Sequence, residues 1–149
     1  MTQSSHDLAR IYSDLGQALL QPPPGDVEVE KEFVRLFLSP QGALVPPWQS
    51  IYQQNQGEQP RLMGPSHHAA LAWYRRHGFE PVADNEPADH VGLLLVFYAY
   101  LLAQDTDATT LGLFEREHLL WTRQFIDRLH SHARHPFFAQ LAESLDQYL

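Results

Sequence analysis

Cysteine is absent from the 149-residue chain. That absence removes thiolate nucleophiles, iron–sulfur ligation, zinc-ribbon sites and disulfides together. It is compatible with the cytosol without proving it. Positive charge is scarce as well: 10 Lys and Arg stand against 18 Asp and Glu, a formal net charge of −8. Phosphate binding needs a basic face, so this balance argues against nucleic acid and fits a cationic partner better. The opening "MTQSSHDLARIYSDL" has no basic start followed by an apolar block, so no secretory signal is read in it. The longest apolar run, Val91 to Ala103 with Gly92 inside it, is too short to cross a hydrocarbon layer of about 30 Å. A soluble chain without membrane insertion is the expectation. No P-loop, no glycine-rich dinucleotide turn and no HExxH pattern occurs, so nucleotide and zinc-protease chemistry have no local support.

What is present is helical periodicity. Leu8, Ile11, Tyr12, Leu15 and Leu19 recur at three and four residues, and "QPPPG" ends that first helix. Val29, Phe33 and Phe37 share a stripe in "VEVEKEFVRLFLSP"; the opening "VEVE" also reads as a strand, but no partner strand is nearby. The segment 39–65 holds five prolines and three glycines and reads as a long functional loop carrying Trp48 and Tyr52. Pro65 opens a further helix that Gly78 ends in the C′ position. The run from Val91, apolar on all sides, marks a central buried helix. Phe114, His118, Trp121, Phe125 and Leu129 predict a long amphipathic helix, which His135–Pro136 closes before a last short one. The fold class is all-α, with one domain over residues 1–149.

Two groups of residues carry candidate chemistry. In "EPADHVGLLLVFYAYLLAQ", Pro87 suits the first position of a helix, which places Asp89 in the first turn, against the positive end of the helix dipole. His90 then needs a specific partner, because an imidazolium would oppose that dipole. The second group is His130, His132 and His135 in "HSHARH", with His132 and His135 three apart on one predicted helix face. Together they define one reading, a metal-dependent or acid–base enzyme using Asp89, His90 and this histidine cluster. No serine, cysteine or lysine motif supplies a nucleophile, and a solvated histidine cluster is the plainer alternative. From His77 to Glu115 no Lys or Arg occurs, whereas Glu80, Asp84, Glu86, Asp89, Asp105, Asp107 and Glu115 all fall there. That edge is either a solvated acidic loop or a docking edge for a basic ligand.

Several segments in succession resemble one family. "EFVRLFLSP", "VPPWQSIY", "YRRHGF", "EPADHVGLLLVFYAYL", "FEREHLLWTRQFIDRL" and "HPFFAQLAESL" occur in the order found in TorD/DmsD/NarJ-type chaperones, and span the chain from Glu32 onward. Those proteins are cytoplasmic maturation factors for molybdenum-containing oxidoreductases exported by the twin-arginine route. The resemblance implies an all-helical chaperone, without a cofactor of its own. It would bind the twin-arginine leader or the apo form of a molybdopterin oxidoreductase catalytic subunit. Carried over by motif position, the leader-binding residues are Leu36, Phe37, Pro47, Trp48, Ser50, Tyr52, Asp89 and His90. Asp89 and His90 are then expected at the rim of a peptide groove, with acids such as Asp89 taking the arginines. Family members have further helices between the first helix and the "EFVRLF" segment, where this chain has only "QPPPGDVEVEK". A helix pair is then missing, and two expectations follow: a smaller variant of the domain, or a neighbouring subunit covering the exposed surface, as in a domain-swapped homodimer.

Overall fold

The computed structural model describes residues 4–39, 42–53, 62–81 and 85–149. Eight α-helices appear among them: α1 (Ser5–Leu20), α2 (Val27–Phe33), α3 (Gln49–Tyr52), α4 (Pro65–Arg76), α5 (Val91–Ala103), α6 (Ala108–Phe114), α7 (Thr122–His132) and α8 (Pro136–Tyr148). Two short π-helical stretches, Val34–Leu38 and Glu115–Leu119, continue α2 and α6. No strand is found among the described residues. The only extended pairing there is a one-residue bridge between Trp48 and His90.

Helix starts follow ordinary capping chemistry. Ser4 Oγ accepts from the Asp7 amide at the head of α1, and Asp107 Oδ2 accepts from Thr110 N–H at the head of α6. Asp26 Oδ1 accepts from the amides of Glu28 and Val29, which settles "VEVE" as the first turn of α2 and not a strand. At the end of α4, Gly78 adopts φ +68. The Phe79 amide reaches Tyr74 O and the Gly78 amide reaches Arg75 O, so the last carbonyls of α4 are satisfied by a left-handed residue.

The core is organised around α5. Val91, Leu93, Leu94, Leu95, Phe97 and Leu101 are fully buried. One side of α5 meets α1. The crossing is close because two glycines face each other: a Cβ on Gly16 would lie 2.6 Å from the Gly92 carbonyl oxygen, and one on Gly92 would lie 2.7 Å from the Gly16 carbonyl oxygen. Aromatic side chains fill the other side. Trp73, Tyr74, Phe79 and Phe114 surround Phe97 at ring separations of 4.9 to 6.4 Å. A second aromatic layer joins Phe33 and Phe37 of the α2 arm to Phe125 and Phe138 of α7 and α8.

The α2 arm is locked to the end of the chain by one carboxylate. Glu32, buried, accepts from Arg35 through Oε1 and from the amides of Arg134 and His135 through Oε2. Those bonds hold its carboxyl below the usual carboxylate range against the opposing effect of burial. The predicted histidine cluster is divided by the same junction: His132 ends α7, whereas His135 caps α8, so the two do not share a helix face. The long amphipathic helix expected over 114–129 is likewise two helices, separated by the π-helical stretch.

Replacing Gly16 by Ala tests the α1–α5 crossing. The new methyl meets the Gly92 carbonyl at 2.6 Å and Val96 Cγ2 at 2.8 Å, and the backbone contact cannot be relieved by a rotamer change, so we expect a loss of about 1–3 kcal/mol in chemical denaturation, the usual range for overpacking. An unchanged midpoint for Gly16→Ala would show that the crossing can widen freely.

Candidate functional site

The Pro-Pro-Trp loop is held on three sides. The carbonyls in the last turn of a helical stretch have no donor within it. At Val34–Leu38 the Leu36 carbonyl accepts from the Val45 amide at 2.8 Å, and at Glu115–Leu119 the Glu117 carbonyl accepts from Gln49 Nε2 at 2.7 Å. The third side is the turn before α5. There Val91 N–H donates to Pro47 O at 2.7 Å and Gln49 N–H donates to Asp89 O at 3.1 Å, which makes the Trp48–His90 bridge.

The start of α5 differs from the sequence expectation. The helix begins at Val91, not at Pro87, and Asp89 precedes it. Residues Pro87–His90 form a turn closed by His90 N–H donating to Pro87 O. Tyr74 Oη donates to the Ala88 carbonyl, and His67 Nδ1 accepts from the Ala88 amide at 2.8 Å. The physical reason is tertiary. Asp89 Oδ2 crosses to accept from the Ser50 amide at 2.8 Å, so it caps α3 instead of its own helix. His90 takes over as N-cap, with Nδ1 accepting from the Gly92 amide at 3.0 Å. Neutral imidazole does this without opposing the helix dipole.

Neither member of the pair lies at a rim: Asp89 is 0% exposed and His90 4%. Their side chains do not bond each other, and each is committed to a backbone amide, so no acid–base dyad forms. Asp89 Oδ1 and Ser50 Oγ are buried without a partner among the described residues. Burial pulls the His90 pKa down to about 3. Above the pair, Trp48 packs edge-on against the His90 ring at 6.0 Å, and its Nε1–H donates to Glu86 Oε2 at 3.2 Å. His90 Nε2 lies 3.8 Å from the same Glu86 oxygen. Burial raises the Glu86 carboxyl, and the Trp48 hydrogen bond opposes that in part.

Of the residues expected to bind a leader, Pro47, Trp48, Ser50, Asp89 and His90 come together here. Leu36 and Phe37 do not join them through their side chains. Both are buried, Phe37 among Phe33, Phe125 and Phe138, and Leu36 accepts from the loop through its carbonyl. Tyr52 lies at the far end of α3. Its ring packs on Trp121 at 5.2 Å with the Arg128 guanidinium over it, and burial pushes its hydroxyl up to about 12. The expected loop over 39–65 thus contains a helical turn at Gln49–Tyr52; its remainder falls partly outside the described residues.

Gln49 was not singled out from sequence, yet it is 1% exposed. Its Nε2 donates to Gln53 Oε1 and Glu117 O, while its Oε1 accepts from His118 Nδ1 at 2.7 Å. His118 is buried, and burial, partly opposed by Glu117, takes its pKa to about 4. Glu86 was visible only as one acid in a run. Nothing in a glutamine or in an isolated glutamate marks burial at such a junction.

The depressed imidazoles predict the acid response. An unfolded histidine titrates near 6.5, so below that pH the unfolded chain binds protons that folded His90 and His118 refuse. Stability is therefore full above about pH 6.5 and falls with acid, by about 1.4 kcal/mol per pH unit for each histidine, until their folded values near 4 and 3 are reached. Urea denaturation at pH 7.5 and 5.5 checks this. Asparagine also caps helices, so His90→Asn should keep its stability at pH 7.5 and lose about half of the slope between the two. Equal slopes in both proteins would remove His90 from the account.

A model of the nitrate reductase delta subunit family matches residues 2–142. The Tat proofreading chaperone DmsD of Salmonella typhimurium is 33% identical over 110 residues, 73% of this chain and 52% of that protein. DmsD of Salmonella typhi is 32% identical over the same shares. The chain spans about half the length of the curated relatives it matches. A solved Archaeoglobus fulgidus structure, assigned as a redox enzyme maturation protein, superposes with a TM-score of 0.64. The match covers 99% of this chain and 94% of that one, at 19% identity, which is a likeness of fold. Helical architecture, motif order and family match agree: this chain belongs to the nitrate reductase delta subunit family, alongside the DmsD-type chaperones.

Proposed function

We propose that the chain is a DmsD-type chaperone. It captures the twin-arginine leader of a molybdopterin oxidoreductase catalytic subunit in the cytoplasm and holds that subunit until its cofactor is inserted. The observation that carries this reading is the junction of the Pro-Pro-Trp loop with the Asp-His turn. Residues about 40 positions apart in the chain meet through two main-chain bonds and the Asp89–Ser50 contact. The identity to proteins named Tat proofreading chaperones over 73% of the chain supports it.

Within this reading the residues divide by exposure. Asp89, Ser50 and Pro47 are buried and set the geometry, and His90 caps α5. Trp48 is half-buried and presents an indole to whatever docks. A leader offers two guanidiniums followed by an apolar segment, a combination of charged motif and apolar anchor common in peptide recognition. An aromatic anchor beside a carboxylate suits it, since guanidiniums both pair with carboxylates and stack on indoles. No helix among the described residues is long and apolar enough to cross a membrane.

Isothermal titration with synthetic leader peptides tests the proposal. A micromolar complex corresponds to about −8 kcal/mol, within reach of a few such anchors. Trp48→Ala is expected to weaken leader binding tenfold or more while leaving the melting temperature within a few degrees. If the protein ignores every leader yet binds a client subunit truncated of its leader, recognition lies in the mature client and the leader reading is overturned.

A further inference from the structure

Among the described residues three carboxylates are not classed with the exposed surface, Glu32, Asp89 and Glu86, and of these Glu86 alone is both reachable from solvent and without a cation. Glu32 has the Arg35 guanidinium and two amides on its oxygens. Asp89 faces the Ser50 amide from full burial and offers nothing to solvent. The Glu86 side chain is 25% exposed, and Trp48 Nε1–H is its one hydrogen-bond donor among the described residues. No Lys or Arg there pairs with it. The nearest potential cation, His90, is a neutral imidazole committed through Nδ1 to the Gly92 amide.

We infer that Glu86, and not Asp89, is the carboxylate that receives an arginine of the leader, with the guanidinium lodged between Glu86 and the open face of Trp48. The inference rests on the leader-binding reading above and assigns specificity within it. The geometry supports a guanidinium in particular. Glu86 Oε2 is shared with the indole N–H, which holds that oxygen beside the ring, and Oε1 has no donor among the described residues. A planar fork can engage a fixed carboxylate edge and lie against an adjacent aromatic ring, which a rounded ammonium does less well. Asp89 is fully buried, so even its unshared Oδ1 is out of reach of a guanidinium arriving from solvent. His90 contributes by staying uncharged: an imidazolium 3.8 Å from Glu86 would occupy the place of the incoming cation.

A binding cycle tests the assignment. Wild-type protein, Glu86→Gln and Glu86→Asp are titrated with a synthetic leader carrying its two arginines, and with the same peptide carrying two alanines or two lysines. Glutamine retains an acceptor for the Trp48 indole, so the loop keeps its place and the melting temperature should match the wild type. In the wild type, the arginine peptide is expected to bind at least tenfold more tightly than the alanine peptide, with lysine between them. In Glu86→Gln that discrimination should shrink to less than threefold, and Glu86→Asp should restore part of it. If Glu86→Gln weakens arginine and alanine peptides equally, Glu86 only orients Trp48 and the assignment is wrong. Undiminished arginine discrimination in Glu86→Gln overturns it as well. If the wild type binds no leader, the underlying leader reading fails, a result distinct from either of these.

Discussion

The contact between the Gly16 and Gly92 backbones is the constraint on which the rest of the molecule depends. Gly92 is the second residue of α5, so the closest approach of α1 falls directly beneath the turn that carries Asp89 and His90. A side chain at either glycine would push the helix start outward. The His90 cap, the Pro47–Val91 bond and the seat of Trp48 would move with it. Close packing of two main chains thus supplies a rigid floor, and the polar junction is built upon it. Positions held by packing transmit small displacements because interiors of this density do not yield locally.

The second organising device is the pair of π turns. Each ends a helical arm, and the carbonyls of its last turn have no partner within the helix. In a buried setting such a group needs a donor. The two carbonyls, at Leu36 and Glu117, are where the loop 42–53 attaches. The ends of the two stretches therefore act as sockets for the loop. The His118 carbonyl accepts from the Trp121 indole and the Leu119 carbonyl from the Thr122 hydroxyl, so the same turn also fixes the entry into α7.

Much of this was legible from residue order. The stripe Leu8, Ile11, Tyr12, Leu15, Leu19 gives the face of α1, the uniformly apolar run gives α5, and Gly78 gives the end of α4, because each depends on local spacing. The neighbourhood of Trp48 with His90 was reached through the family's motif order. What stayed hidden depends on partners distant in the chain. Asp89 looks like a first-turn acid until Ser50 is seen to claim it, and the helix then starts four residues later than Pro87 suggests. Phe33 and Phe37 keep a helical spacing of four, so their pattern does not reveal the π turn that carries Phe37. Leu36 and Phe37 sit in a motif associated with recognition, yet their side chains serve the core.

One feature of the loop limits how any peptide can be held there. The bridge at Trp48 and His90 is a single step of antiparallel pairing, and Pro46 and Pro47 precede it with no amide hydrogens to offer. The pairing cannot lengthen in that direction, and an incoming chain finds no row of donors along which to zip as an added strand. If a leader docks here as proposed, strand addition along Pro46 and Pro47 is closed to it, and its side groups carry more of the contact. Such a mode of capture would tolerate guests of varied backbone shape, provided they bring the right tips.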